Sequence, residues 1–465
     1  MPRAPMTPCR PLPPRTRRGL ATALVATQML LWSLASTQAL GAQPATSHDI
    51  ADTPAYSNAV CNDGSRARYY VRKATKAEYR KKWLIVFQGG GSCYDNESCV
   101  ERWNDLDRSS PPIGSHDNMV GDGGAANMSD FDNQGILDED GYSLGTLTAN
   151  PFRHFNKIHV HYCSSDSWKG RGGVQTMTGV DANGLPLNMP IVFHGAYIAE
   201  AVVDIVKKGL VDTGGVGPAV PSQQPDDATS EVVLFGQSAG ASGLASQLDQ
   251  FAAHLKSPPV NDGGPKVWGI IDSNDAVGLD LSVKDFGSIS AMSYWSGGTA
   301  DNVIAENIAV DQSCRLVYPN YPDLALCNNT GRLLLEYIST PAFVAENAHD
   351  GVIHDRYELF MSSKEIRAGI TAGAALFPSG MGLFRPNFSK REHVLGMNNG
   401  TFLATDDGTH PTPPHMVRSP KTSKVSLAYA LGCYRDKQNG QTTAACRFAN
   451  KTAKLPVPPP ISRAP

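Results

Sequence analysis

Gly236-Gln237-Ser238-Ala239-Gly240 has the residue types and spacing for nucleophilic catalysis. A serine hydroxyl is a weak nucleophile until it is presented at a sharp turn beside a base. Glycines two positions to either side let the backbone turn without a side chain striking the flanking strand or helix, so the spacing is mechanical. A second stretch, Gln88-Gly89-Gly90-Gly91-Ser92, suits the oxyanion that acyl transfer builds, because backbone N–H groups in a glycine loop point at it unobstructed. Such a hole is shared between a glycine loop and the residue after the nucleophile, which nominates Gly90, Gly91 and Ala239. Neither glycine stretch is followed by Lys-Ser/Thr, which sets a phosphate-binding loop aside. Acid and base should follow the serine in the order Asp/Glu, His. Asp350 lies just beyond the apolar segment 343–345, and His410 lies further on in Asp407-Gly408-Thr409-His410. On residue types alone, Asp272, Asp355 and Glu346 compete for the acid, and His393 and His415 for the base.

These residues need strands to hold them. Trp83 to Phe87 is a continuous apolar run ending at the glycine loop, which reads as a strand buried on both faces. Lys157 to Tyr162, Val232 to Phe235, Val267 to Ile271 and Phe343 to Ala345 read likewise. Helical spacing runs from Ala196 to Val206, stopping at Gly209, and from about Leu244 to Leu255. Strands alternating with helices predict an α/β fold, with a mostly parallel central sheet flanked by helices. Ser109 to Asn150 and Val211 to Ser230 read as surface insertions, with a lid as the alternative. The expected organisation is a signal peptide over 1–41, a flexible leader over 42–60, one catalytic domain over 61–450 and a Pro-rich tail over 451–465.

The signal reading rests on Arg15, Arg17 and Arg18, the apolar stretch Leu20 to Leu34, and small residues Ala39 and Gly41 before a cleavage point. That stretch is short of the roughly 20 residues a spanning helix needs. The expected location is therefore extracellular, with no stable membrane insertion. The net charge of -3 carries no basic footprint for nucleic acid. Outside the signal stand eight cysteines, an even set suited to an oxidising compartment. Short loops suggest Cys93 with Cys99, Cys314 with Cys327, and Cys433 with Cys446, leaving Cys61 with Cys163. His159, His161 and Cys163 alternate on one strand face and are metal-ligand types. However, Cys163 is needed for the even set and there is no H-E-x-x-H, so neither metal nor cofactor is expected. Six glycosylation sequons begin at Asn96, Asn127, Asn328, Asn387, Asn399 and Asn450.

Five stretches together resemble the pectin acetylesterase family, and within it the Notum-type carboxylesterases more than the plant enzymes. They are Cys61 to Ser65 with Tyr69-Tyr70; Gly89 to Cys93 with Cys99 and Arg102; Tyr162 to Asp166 with Trp168 to Gly170; Phe193 and Gly195 leading into a helix; and Gly236 to Gly240. The resemblance runs from about Cys61 to Cys446. It implies a serine esterase with a triad of Ser238, Asp350 in Ala348-His349-Asp350, and His410 following Phe402, with His415 in reserve. The implied substrate is an acylated polysaccharide or an acylated protein; a catalytically silent extracellular binding module is the alternative. Two departures stand out. The loop before the histidine carries acidic residues where the family has a cysteine. The oxyanion loop has Gly91-Ser92 where the family usually has a tryptophan, which alters the wall of the acyl pocket.

Overall fold

The structure is a computed structural model that describes most of residues 45–441. Outside the described residues lie 1–44, 105–134, 139–149, 182, 274–285, 299–302, 348–349, 358–361, most of 363–380, 385–392, 394, 398–425 and 442–465. The segments expected to be a signal peptide and a Pro-rich tail fall among them.

Eight strands form one sheet in the order β1-β2-β4-β3-β7-β8-β9-β10. They are β1 (Thr46–Asp49), β2 (Arg68–Arg72), β3 (Lys82–Phe87), β4 (Asn156–Val160), β7 (Glu231–Gln237), β8 (Lys266–Asp272), β9 (Ala342–Ala345) and β10 (Gly382–Phe384). From β4 to β10 neighbours pair in parallel, whereas β2 is antiparallel to both β1 and β4. Two further strands, β5 (Gly173–Val180) and β6 (Pro186–Phe193), make a separate antiparallel hairpin. The helices used below are α1 (Asn96–Asn104), α2 (Gly195–Lys208), α3 (Ala239–Lys256), α4 (Phe286–Trp295), α5 (Gly351–Tyr357) and α6 (Leu427–Gln438).

The central strands are apolar throughout because both faces are covered. Neighbouring residues of a strand point to opposite faces. On β8, a Cβ at Gly269 would lie 2.7 Å from Leu248 of α3, whereas Trp268 packs its ring against Tyr434 of α6 at 5.3 Å. Trp83, Phe87, Phe235 and Trp268 are all at least 99% buried in this core. Helix α2 ends where expected, on Gly209 in the left-handed conformation at φ 67°.

β3 and β7 are neighbours whose onward connections lead to opposite sides of the sheet, one to β4 and the other to β8. Ligands of open α/β sheets bind beyond the carboxyl ends of strands at such a switch point. Here those ends are the glycine loop and Ser238. The segment 211–230 lies at the other end: Lys81, just before β3, bonds Asp226 and Asp227 at 2.7 and 2.6 Å. It is a surface insertion remote from the site. The leader expected over 42–60 is not a free arm. Residues 46–49 form the polar edge strand β1, and Ile50, Tyr56 and Ala59 are buried beneath it.

Three of the expected disulfides are formed: Cys61–Cys163, Cys93–Cys99 and Cys314–Cys327. Cys433 is also disulfide-bonded, and Cys446 lies outside the described residues.

Candidate active site

Ser238 stands between β7 and α3 at φ 50°, ψ -117°. A non-glycine residue in this region is strained and persists only where its surroundings over-determine it. They do. The N–H of Ser238 donates to the Asp272 carbonyl at 2.8 Å, and the Ser238 carbonyl accepts from Ser242 at 3.1 Å. The flanking glycines allow strand and helix to meet: a Cβ would lie 2.3 Å from the Gly240 carbonyl oxygen at Gly236, and 2.1 Å from that of Phe87 at Gly240.

His393 Nε2 is 2.7 Å from Ser238 Oγ, and its Nδ1 is 2.7 Å from Asp350 Oδ2. The Asp350 side chain is fully buried and that of His393 is 21% exposed. Asp350 leads into α5, and its other oxygen accepts from the Ile353 N–H at 2.9 Å. One carboxylate thus caps a helix and orients an imidazole.

Asp272, at the end of β8, is buried and holds the chain just after His393. Its carboxylate accepts from Gly396 N–H at 2.7 Å, from Leu395 N–H at 3.1 Å and from Ser273 Oγ at 2.9 Å. Burial pushes its carboxyl up to about 6 against the pull of these donors. Its bonds go to the backbone after His393 and to the Ser273 hydroxyl; the carboxylate hydrogen-bonded to His393 is that of Asp350.

The glycine loop abuts the nucleophile. A Cβ at Gly89 would lie 3.1 Å from Ser238 Cβ. Gly90 and Gly91 have φ of 134° and 70°, which favour glycine. Next to the loop, Ser165, Ser167 and Trp168 all have positive φ, and buried Asp166 ties this turn together. Asp166 accepts from Ser164 Oγ and from the N–H groups of Trp168, Gly170 and Gly195 at 2.6–3.0 Å. The Trp168 indole in turn donates to the Gln88 carbonyl at 2.9 Å.

A serine at a strained turn, joined through one imidazole to a buried carboxylate beside a glycine loop, is an arrangement for acyl transfer. A family model for pectinacetylesterase matches residues 42–368. The chain belongs to that family.

Relatives of this chain include the palmitoleoyl-protein carboxylesterase NOTUM of Schmidtea mediterranea, 30% identical over 205 residues, covering 44% of this chain and 30% of that protein. Pectin acetylesterase 11 of Arabidopsis thaliana is 25% identical over 295 residues, covering 63% of this chain and 59% of that protein. The matched part therefore spans less than two thirds of either relative. Among solved structures, the Wnt deacylase Notum from Drosophila matches with a TM-score of 0.55 at 20% identity, over 86% of this chain and 95% of that one. The two share the α/β-hydrolase-like fold.

Set against expectation, the structure brings Ser238 and Asp350 to one histidine, and that histidine is His393. The family spacing pointed to His410; His410 and His415 both lie outside the described residues. Gly396, three residues on, fits the close approach there: a Cβ would lie 2.7 Å from the Phe235 ring and 3.1 Å from Asp272 Oδ2. Ala239 is buried directly behind the nucleophile. Cys163, third of the alternating His159, His161, Cys163 set, is bonded to Cys61. A tryptophan does reach the glycine loop, but from α4: buried Trp295 donates its indole N–H to the Cys93 carbonyl at 2.6 Å.

Proposed function

We propose that this chain is a secreted serine carboxylesterase working through an acyl-enzyme. The observation that carries the reading is the unbroken path from Ser238 Oγ through His393 to Asp350, with both hydrogen bonds at 2.7 Å. Ser238 Oγ attacks the ester carbonyl as His393 Nε2 takes its proton. Asp350 keeps the other ring proton on Nδ1 and stabilises the imidazolium. The carbonyl π electrons move onto oxygen, which in this reading the N–H groups of Gly90, Gly91 and Ala239 receive. Collapse of the tetrahedral intermediate re-forms the carbonyl and breaks the bond to the alcohol, which leaves with the proton from His393. Water, deprotonated by the same imidazole, then frees the acid and restores Ser238.

The acyl group is acetyl on a polysaccharide or a fatty acyl on a protein, the two chemistries named for its relatives. Passage out of the cell is supported by the apolar segment after Arg18 and by the disulfides. Among the described residues no helix is long and apolar enough to cross a membrane. A chain-length series of p-nitrophenyl esters tests the reading. Hydrolysis abolished by Ser238→Ala is expected, and the chain length of highest kcat/KM assigns the acyl class. A protein that hydrolyses none of the series and is not labelled by a fluorophosphonate would instead be a binding module.

A further inference from the structure

The direction of one peptide group decides whether the glycine loop can serve as an oxyanion hole. In a trans peptide the C=O of one residue and the N–H of the next point opposite ways. Whatever holds the Gly90 carbonyl therefore aims the Gly91 N–H. With glycine on both sides, no side chain resists a flip of that peptide.

One side chain does hold it. Arg102 Nη1 donates to the Gly90 carbonyl at 2.5 Å, and its Nε donates to Ser165 Oγ at 2.9 Å. The guanidinium lies over the Tyr162 ring, 5.7 Å from its centroid. Two donors in a planar fork, backed by a ring, fix orientation in a way a lysine point charge does not. The anchor is rigid. Ser165 belongs to the turn tied by Asp166, and its carbonyl accepts from the Cys93 N–H at 3.0 Å. Arg102 rides on α1, which the Cys93–Cys99 bond ties to the same loop, and it lies one helical step beyond Cys99. Gly91 itself is exposed; the nearest atom to a Cβ built there is Arg102 Nη1, at 3.7 Å.

We infer that Arg102 is a positioning residue for hydrolysis: by holding the Gly90 carbonyl on its own side, it keeps the Gly91 N–H turned toward the developing oxyanion. The inference rests on the esterase reading above. Arg102 touches no reacting atom, and its effect falls on the transition state, not on substrate binding.

The experiment compares wild type, Arg102→Ala and Arg102→Lys on p-nitrophenyl acetate, and titrates each with an alkyl trifluoromethyl ketone, whose adduct with serine carries the oxyanion. Arg102→Ala should lower kcat by about 10²- to 10³-fold, the usual loss for one oxyanion donor. KM should stay within about threefold, and ketone affinity should fall by the same factor as kcat/KM. Millimolar guanidinium should restore part of the rate to Arg102→Ala and nothing to wild type. A kcat within about threefold of wild type, or ketone affinity unchanged while kcat falls, overturns the inference. If Arg102→Ala fails to fold, Arg102→Lys decides by the same two readouts, since it keeps the stem and the charge but not the fork. Fluorophosphonate labelling of wild type separates the two levels: absence of label on Ser238 brings down the esterase reading, and this inference with it.

Discussion

Replacing His393 by alanine has two effects of different size. The first is chemical. The imidazole is 2.7 Å from both Ser238 Oγ and Asp350 Oδ2, so its loss removes the proton acceptor and disconnects the acid. Loss of a triad histidine lowers kcat by roughly 10⁴- to 10⁶-fold, or about 5–8 kcal/mol of transition-state stabilisation. The second is structural. Asp350 is fully buried, and the bond from Ile353 reaches only its other oxygen. A buried carboxylate oxygen stripped of its partner costs about 1–3 kcal/mol. Water can enter the space His393 leaves, because that side chain is 21% exposed, which puts the expected loss at the low end of that range. The assays are steady-state hydrolysis of p-nitrophenyl acetate and urea unfolding, run alongside Ser238→Ala, His410→Ala and His415→Ala. Serine and base act as a unit, so the double variant Ser238→Ala/His393→Ala should be no slower than either single one. A His393→Ala enzyme keeping more than about a tenth of wild-type kcat, beside a dead His410→Ala or His415→Ala, would refute the reasoning.

Asp272→Asn leaves one acceptor oxygen for the donors from Ser273, Leu395 and Gly396, so the histidine segment should shift and kcat fall roughly 10- to 100-fold in the same assay. Because the folded-state value of Asp272 is raised from 3.8 to about 6, its contribution to stability is full below the ordinary carboxylate range and is lost as pH rises through 6. Urea midpoints from pH 4 to 7 should show that decline in wild type and a flatter profile in Asp272→Asn. Gly240→Ala puts a methyl 2.1 Å from the Phe87 carbonyl oxygen and should yield no folded, probe-reactive enzyme; soluble active protein would count against the elbow packing described here. The sequon at Asn328 should carry no glycan, because its side chain is buried and its amide oxygen accepts from buried Lys169 at 2.5 Å; glycopeptide mapping that finds Asn328 occupied contradicts this.

The parallel strands were legible because burial on both faces leaves a continuous apolar run, as in Lys82–Phe87 and Glu231–Gln237. The positions of Ser238 and Asp350 were legible for a related reason: each follows a strand end, where local pattern and three-dimensional place coincide. The elements that escaped notice lack that signature. β1 reads Thr-Ser-His-Asp and is largely exposed, β2 begins and ends in arginine, and β5 alternates polar residues along a hairpin outside the main sheet. His393, named among the candidate bases, was not singled out for a different cause. No local pattern marks it; its placement depends on Asp272, 124 positions before Gly396, binding the backbone that follows it. Family spacing after Phe402 pointed past it to His410.

The order of the strands also sets when the chain becomes reactive. β7 lies in the interior of the sheet and near the middle of the chain, whereas His393 follows β10, the outermost described strand on the far side. The contacts described above that bend Ser238 into place, from the Phe87 carbonyl to the Asp272 carbonyl, come from residues before 273. The base arrives more than a hundred residues later. On the esterase reading, a chain that ends before β10 has the serine and the glycine loop in its sequence but not the imidazole that would take the serine's proton. Nucleophile and base thus come from opposite halves of the sheet's construction, and the reaction proposed here needs both.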